Sequence, residues 1–419
     1  MKKFKDVEAE RRQYHAAPTV NSVHRSSLMV PEVEGTIAEI SMLNHFLVKR
    51  GYPKVACRIT AIDSAGKRIQ SKLFQLTEPR VYPFRLTGMF DRPANTYNVE
   101  FFSADNLFIP YTAVMVNHHG KGFLSQVHAY NRILNDVFED DAINSYDPGE
   151  VAMDMELDEH IDTFVVLSSG NRAPGGKLRV EVLTADERYS AERELTLSRM
   201  NGQRFSVRET FPQLPKRVRG VLKFYQPHQD MFYGRLLVGL HSTKDGAVSS
   251  NHSYYERSKD AGEYWDTDAP SERSYPFFKG LENLFLIYPT MSAGEYDLEM
   301  QFRGKDGRVL KSVPLGRLKS PGNQLLEPNA NELAAKAGIP LESINTFSLV
   351  VRALGGGKMP TRVNHHLVHR SKNGVLRSSI NMSLLTPNTF VPPGKKSFTW
   401  GQGVVSDDLD SWISLVGDD

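Results

Sequence analysis

The sequence predicts an all-β protein made of three tandem antiparallel β-sandwich modules, with an extended N-terminal arm and an acidic C-terminal tail. Three observations predict it. Short runs alternate apolar and polar residues, as in KLRVEVL, where Leu178, Val180 and Val182 share one face and Arg179 and Glu181 the other. Polar turn signals punctuate these runs, while helical periodicity is scarce. One order of elements, namely apolar strand, Gly/Pro loop, alternating strand and polar turn, also recurs three times. The copies are NHFLVKRGYPKVACRITAIDSAGKRI from 44, DTFVVLSSGNRAPGGKLRVEVLTADERY from 162 and NLFLIYPTMSAGEYDLEMQFRGKDGRVL from 283.

Taken in chain order, residues 1–34 are polar and charge-rich and read as an arm whose SVHRSSLMVP adds an edge strand to a sheet. Module 1 spans 35–138. Its strand VACRITAID turns Val55, Cys57, Ile59 and Ala61 inward, and SAGK supplies the turn. FLSQVHAYNRILNDVFEDD reads as a strand and loop, with a helix as the alternative. An acidic linker follows at 139–160, in which Asp154, Glu156, Asp158 and Glu159 read as a solvated run. Module 2 spans 161–267 and turns at ADER; residues 268–280 form the second linker. Module 3 spans 281–400 and turns at GKDGR. It holds the strongest helix signal, NANELAAKAGIP, which Asn331 would cap and Gly338 and Pro340 would end. The tail, 401–419, offers Trp412, Ile413 and Leu415 as an apolar patch among aspartates.

Composition bounds the function. With 419 residues, the chain exceeds one ordinary core. A 40% hydrophobic and 24% charged content is that of a folded soluble protein. A net charge of +2 gives no global field toward nucleic acid, although PKRVRG and VHRSKNGVLRS are local basic clusters. The lone Cys57 excludes an intramolecular disulfide, and no apolar stretch has the length of a signal peptide or a membrane span. A cytoplasmic location without membrane insertion is expected.

The copies each close on an Asn-His pair: Asn117-His118, Asn251-His252 and Asn364-His365. These pairs are expected at equivalent strand ends of the three modules. There, Asn117, His118, Asn251, His252, Tyr254, Asn364, His365 and Arg370 form a candidate ligand surface, since aromatic rings stack on sugar faces and Asn, His and Arg bond hydroxyls. Neighbouring aromatics at Tyr130, Tyr255, Tyr264, Trp265 and Trp400 extend that glycan reading. A metal reading uses His118 with His128, or His365 with His369, brought together across a turn. His118 and His119, adjacent on a strand, point to opposite faces and cannot share an ion. No GxSxG elbow is present, and LGGGK lacks the phosphate-loop pattern.

Each copy closes on a strand running into a His-containing segment, VNHHLVHRS in the third. In this the modules resemble the small soluble β-sandwich transducer associated with microbial sensory rhodopsins. The resemblance implies a non-enzymatic, oligomeric interaction protein; three fused modules, an arm and a tail depart from it. The expected function is a non-catalytic assembly or ligand-binding protein with a protein or glycan partner, without a cofactor and with homo-oligomerisation in view. The alternative is a carbohydrate-active or metal-dependent enzyme with His118, His119, His128, His365, His366 and His369 between modules.

Overall fold

Alternation along the chain becomes strand pleat throughout the computed structural model. It describes residues 24–103, 112–128, 132–135, 150–168, 175–196, 202–225, 236–256, 262, 264, 269–289, 292–356, 358–360, 363–371, 377–383 and 403–413. The first module holds β1 (His24–Pro31), β2 (Ile37–Leu43), α1 (His45–Arg50), β3 (Val55–Ile62), β4 (Arg68–Leu76), β5 (Val81–Arg85), β6 (Thr96–Ser103), β7 (Ala113–Gly120), β8 (Phe123–His128) and β9 (Arg132–Asn135). The second holds β10 (Glu150–Leu157), β11 (Ile161–Ser168), β12 (Gly175–Leu183), β13 (Arg188–Thr196), β14 (Gly202–Ser206), α2 (Val207–Thr210), β15 (Val218–Tyr225), β16 (Leu237–Ser242), β17 (Val248–His252) and β18 (Tyr254–Glu256). The third holds β19 (Ser271–Pro276), β20 (Glu282–Ile287), β21 (Gly294–Arg303), β22 (Val309–Ser320), α3 (Ala330–Lys336), β23 (Thr346–Ala353), β24 (Asn364–Arg370) and β25 (Arg377–Ser383).

The modules share one topology. A larger sheet runs β4-β3-β6-β1-β9 in the first, β13-β12-β15-β10-β18 in the second and β22-β21-β23-β19 in the third. The smaller sheets run β5-β2-β7-β8, β14-β11-β16-β17 and β20-β24-β25. In the third, Leu326 and Asn329 make isolated bridges to Ile287 and Leu284, beside β20, on the side where β5 and β14 lie in the other modules. Every ladder is antiparallel, and no helix among the described residues is long and apolar enough to cross a membrane.

The three polar turns close the hairpins β3-β4, β12-β13 and β21-β22. In the first, Asp63 Oδ1 accepts from Ala65 N and Lys67 N at 3.0 and 2.8 Å while Gly66 takes φ +78°. Thr184 Oγ1 plays the Asp63 part in the second, and in the third Asp306 Oδ1 accepts from Arg308 N beside Gly307 at φ +78°. Polar side chains bonding their own turn set the register of each hairpin. Between the two sheets of each module the inward faces pack as expected: Val55, Cys57, Ile59 and Ala61 in the first, Leu178, Val180 and Val182 in the second. Burying each large apolar side chain contributes about 1.5–3 kcal/mol.

Several boundaries differ from the sequence reading. Of the 1–34 arm, His24–Pro31 is not an arm but β1, which pairs with both β6 and β9 inside the large sheet and so is not an edge strand, while residues 1–23 lie outside the described residues. The acidic linker 139–160 likewise supplies β10, and linker 268–280 supplies β19, so the second and third modules take their first strands from stretches assigned to linkers. NHFLVKR is helix, not strand. Asn44 holds it: its Oδ1 accepts from Leu47 N, its Nδ2 donates to Leu76 O and Glu78 O, and Gly51 at φ +64° ends the turn. Phe46, third residue of the copy that starts at 44, therefore lies on a helix, whereas Phe164 and Phe285, third residues of the other two copies, lie on β11 and β20. The cap of α3 is Asn329, and Asn331 instead accepts from Asn283 N. Within FLSQVHAYNRILN, Phe123–His128 and Arg132–Asn135 form strands β8 and β9.

Candidate functional site at the junction of the three modules

The Asn-His pairs do not occupy equivalent positions. His118, near the end of β7, faces Ala38, the second residue of β2; His365, near the start of β24, faces Ile287, the last residue of β20. β7 and β24 are matching strands, yet the motif sits at opposite ends of them. His252 lies on a different strand, β17, the counterpart of β8 and β25. The true partner of His118 in the third module is His369, which faces Asn283, the second residue of β20.

Strand pleat decides what each histidine meets. His118 points into the first core, where its Nε2 lies 3.4 Å from Pro31 O and burial lowers its pKa to about 4. His119 points outward, its Nε2 3.7 Å from Glu39. His365 points into the third core, where Tyr275 Oη and His365 Nε2 share a 2.6 Å hydrogen bond and burial lowers the histidine's pKa to about 3. His366, on the opposite face, stacks against Tyr288 with centroids 5.6 Å apart; burial brings its pKa to about 4. His369 sits edge-on to Phe278 and is also lowered to about 4 by burial.

The expected metal pairs do not form. His128 faces Met115 across β7-β8, three rungs from His118, and His365 and His369 stand four residues apart on one extended strand. Among the described residues no three His, Cys, Asp or Glu side chains are grouped as metal ligands. Of the expected ligand surface, Asn117 is buried and bonded to Glu39, Ser41 and Gln126, and Arg370 pairs with Glu282 at 2.6 Å. Asn251 Oδ1 accepts from His252 N, and Asn364 is buried on β24 opposite Ser383 of β25. Tyr264 donates to Ala293 O, in the third module. Tyr254 lies on edge strand β18, but its side chain and that of Tyr255 lie outside the described residues, as do Tyr130, Trp265, Trp400 and Leu415.

What the structure does bring together is β8, β17 and β25, the small-sheet edge strands of the three modules. Across the first seam Ser125 Oγ lies 2.8 Å from Ser250 Oγ and accepts from Ser250 N, and His128 Nε2 meets His252 Nε2 at 2.5 Å. Across the second, Asn381 Nδ2 donates to His252 O and lies 2.9 Å from His252 Nδ1. His252 thus touches both neighbours. Phe164, Val166, Leu237 and Val248 of the second module join the first core, and Leu284, Leu286, Tyr288 and Val368 of the third pack on Ala152 and Val221.

A buried ion cluster lies at the second seam. Arg377, on β25, bonds both Asp154 oxygens at 2.6 and 2.7 Å and Glu156 as well, with the Arg377 and Asp154 side chains 5% and 4% exposed. The acidic run at 154–156 is therefore not solvated. Burial opposes the charge on Arg377, but Asp154 and Glu156 outweigh it and raise its pKa. Glu327, 3.8 Å from Arg219, is held above its usual pKa by burial. Beside this cluster opens a cavity of about 260 Å³ lined from all three modules, by Phe123 and Leu124, by Leu240 and Val248, and by His369 and Arg377.

Sequence reasoning missed Ser125, Ser250, Asn381, Asp154 and Arg377. The one available signal was charge, an acidic stretch at 150–159 and a basic one at 368–378 in an otherwise balanced chain. No family model matches the chain, and no curated protein matches it.

Proposed function

We propose that the protein is a non-catalytic assembly protein that binds a protein partner over the composite surface where its three modules meet. The observation that carries this reading is the junction itself. Matching edge strands of three modules are tied at His252 and surround a cavity that no single module encloses. Seam bonds between modules fix one arrangement of three surfaces, which a binding platform requires and a string of independent modules lacks. The buried histidines serve cores and seams, and so support the platform from within. The resemblance to soluble sensory-rhodopsin transducers implies the same non-enzymatic, oligomeric character.

The test places a photo-crosslinking residue at Leu124, on the cavity wall, in cells that make the protein. The expected result is a discrete protein adduct that disappears when Ala247→Trp fills the cavity. Turnover of a glycoside or ester substrate that is abolished by His369→Ala, with the fold intact, would overturn the reading in favour of an enzyme. Stacking of a glycan remains the competing form of binding, and a glycan array with the same Ala247→Trp control separates it.

A further inference from the structure

The cavity at the junction has a chemistry of its own. The first two modules line it with apolar side chains, Phe123 and Leu124 on β8, Leu240 on β16 and Val248 on β17. The third adds His369 and Ser378, which stand opposite each other across β24-β25. Ser249 and Ser242, the latter already bonded to Asp245, complete the polar part of the wall. Leu240 and Val248 are buried and Ser378 is exposed, so the space runs from an apolar floor to an open rim.

Two of the lining residues, His369 and Arg377, are ionisable, and neither offers a free charge. The Arg377 guanidinium is forked onto Asp154 and Glu156. Burial lowers the pKa of His369 to about 4, so the ring is neutral at neutral pH, and its Nδ1 has no hydrogen-bond partner among the described residues. A charged guest would leave water here without a counter-charge, and a sugar would lose the hydration of several hydroxyls against Phe123, Leu124 and Leu240 with few groups to replace it. A flat ring fits these walls better, packing on Phe123 and the aliphatic side chains. Size narrows the choice further. The cavity, of about 260 Å³, exceeds the roughly 150 Å³ of an apolar cavity that holds benzene and falls below the roughly 300 Å³ at which pockets for drug-sized ligands begin.

We infer that the junction cavity binds one small neutral aromatic molecule of one or two rings, with its ring between Phe123, Leu124, Leu240 and Val248 and a single hydroxyl or N–H toward His369 and Ser378. Because its walls come from three modules, the bound molecule clamps them together and stabilises the junction by linkage. The inference uses the cavity of the assembly reading but needs no protein partner.

Calorimetric titration of indole into the purified full-length chain tests it, with benzoate as the charged comparison and methyl glucoside as the polyhydroxylated one. Indole should bind saturably at one site, and the other two should not. Ala247→Trp, which fills the cavity, should abolish binding, and Leu124→Trp serves the same purpose if that variant fails to fold. 1-Methylindole, which lacks the N–H, should bind the natural chain about tenfold more weakly than indole, the worth of one hydrogen bond, while His369→Phe should bind the two alike. Bound indole should also slow exchange of the Ser250 amide at the seam. No indole binding by the natural chain, equal or tighter binding of benzoate or methyl glucoside, indole binding unchanged in the folded filled-cavity variant, a natural chain that does not distinguish indole from 1-methylindole, or Ser250 exchange unmoved by indole would each overturn the inference. The titration uses the chain alone, so its failure leaves the Leu124 crosslink standing, and loss of that crosslink in a chain that binds indole would refute the partner reading alone.

Discussion

The Nε2 atoms of His128 and His252 face each other at 2.5 Å across the seam between the first and second modules. At that distance one ring nitrogen donates a hydrogen and the other accepts it. His252 also contacts Asn381 of the third module, so His252→Ala removes bonds to two neighbours at once. The expected cost is about 1–3 kcal/mol. It should fall on the seams: exchange of the Ser250 amide, which donates to Ser125 Oγ, should quicken while the central strands β3 and β6 keep their protection. Equal acceleration in all three cores would contradict a seam role.

The buried imidazoles predict acid sensitivity. Burial lowers the pKa of His118, His366 and His369 to about 4 and that of His365 to about 3. In an unfolded chain each titrates near ~6.5. Between those values the unfolded chain binds protons that the folded chain refuses. Stability is therefore complete above about pH 6.5 and declines as pH falls toward 4, by up to about 1.4 kcal/mol per unit for each histidine. Urea midpoints measured between about pH 7 and 4.5 should drop, and His366→Leu should flatten the slope. Midpoints that stay constant over this range would refute the assignment.

How much of this was legible in the sequence depends on the range of the interaction. The hairpins at Gly66, Glu187 and Gly307 were legible because alternation and turn chemistry act within a few residues. The inward set Val55, Cys57, Ile59 and Ala61 was legible for the same reason. α1 was not, because a single capping side chain, Asn44, also anchored to Leu76 and Glu78, overrides a strand-like composition. β1, β10 and β19 were misassigned because their polar residues resemble arm or linker sequence; on β10 those residues are covered only when Arg377 of the third module meets Asp154 and Glu156. The repeated NHH of β7 and β24 misled most: equal words stand at opposite ends of matching strands, and only pairing with β2 and β20 reveals the offset. The Arg377–Asp154 contact spans 223 residues of chain and leaves no local pattern.

Cys57 offers a check on the first core. It lies fully buried on β3, and burial raises its thiol pKa well above the ordinary value, with Glu100 adding to the effect. The thiolate is the reactive form. An aromatic disulfide reagent should therefore leave the native protein unmodified at neutral pH and react with one equivalent in denaturant. Rapid reaction of the native protein would mean that the β3 face opens readily.

Arg377 separates strength from alignment at the second seam. Removing it as Arg377→Ala strands two buried carboxylates, and about 3–5 kcal/mol should be lost. Replacing the whole cluster, as Arg377→Met with Asp154→Val and Glu156→Leu, removes the desolvation cost along with the attraction. That triple variant should recover most of the loss, because buried ion clusters often add little net stability over apolar residues of similar volume. The ion cluster's own contribution then lies in register. Arg377 forks onto Asp154 and Glu156, two outward residues of one strand, and this holds β25 at one height along β10, which an apolar contact would not. Double electron–electron resonance between spin labels at Ser274 and Lys177 should give a single narrow distance in the natural chain and a broadened one in the triple variant. A triple variant as unstable as Arg377→Ala would show that the cluster supplies net stability as well as alignment.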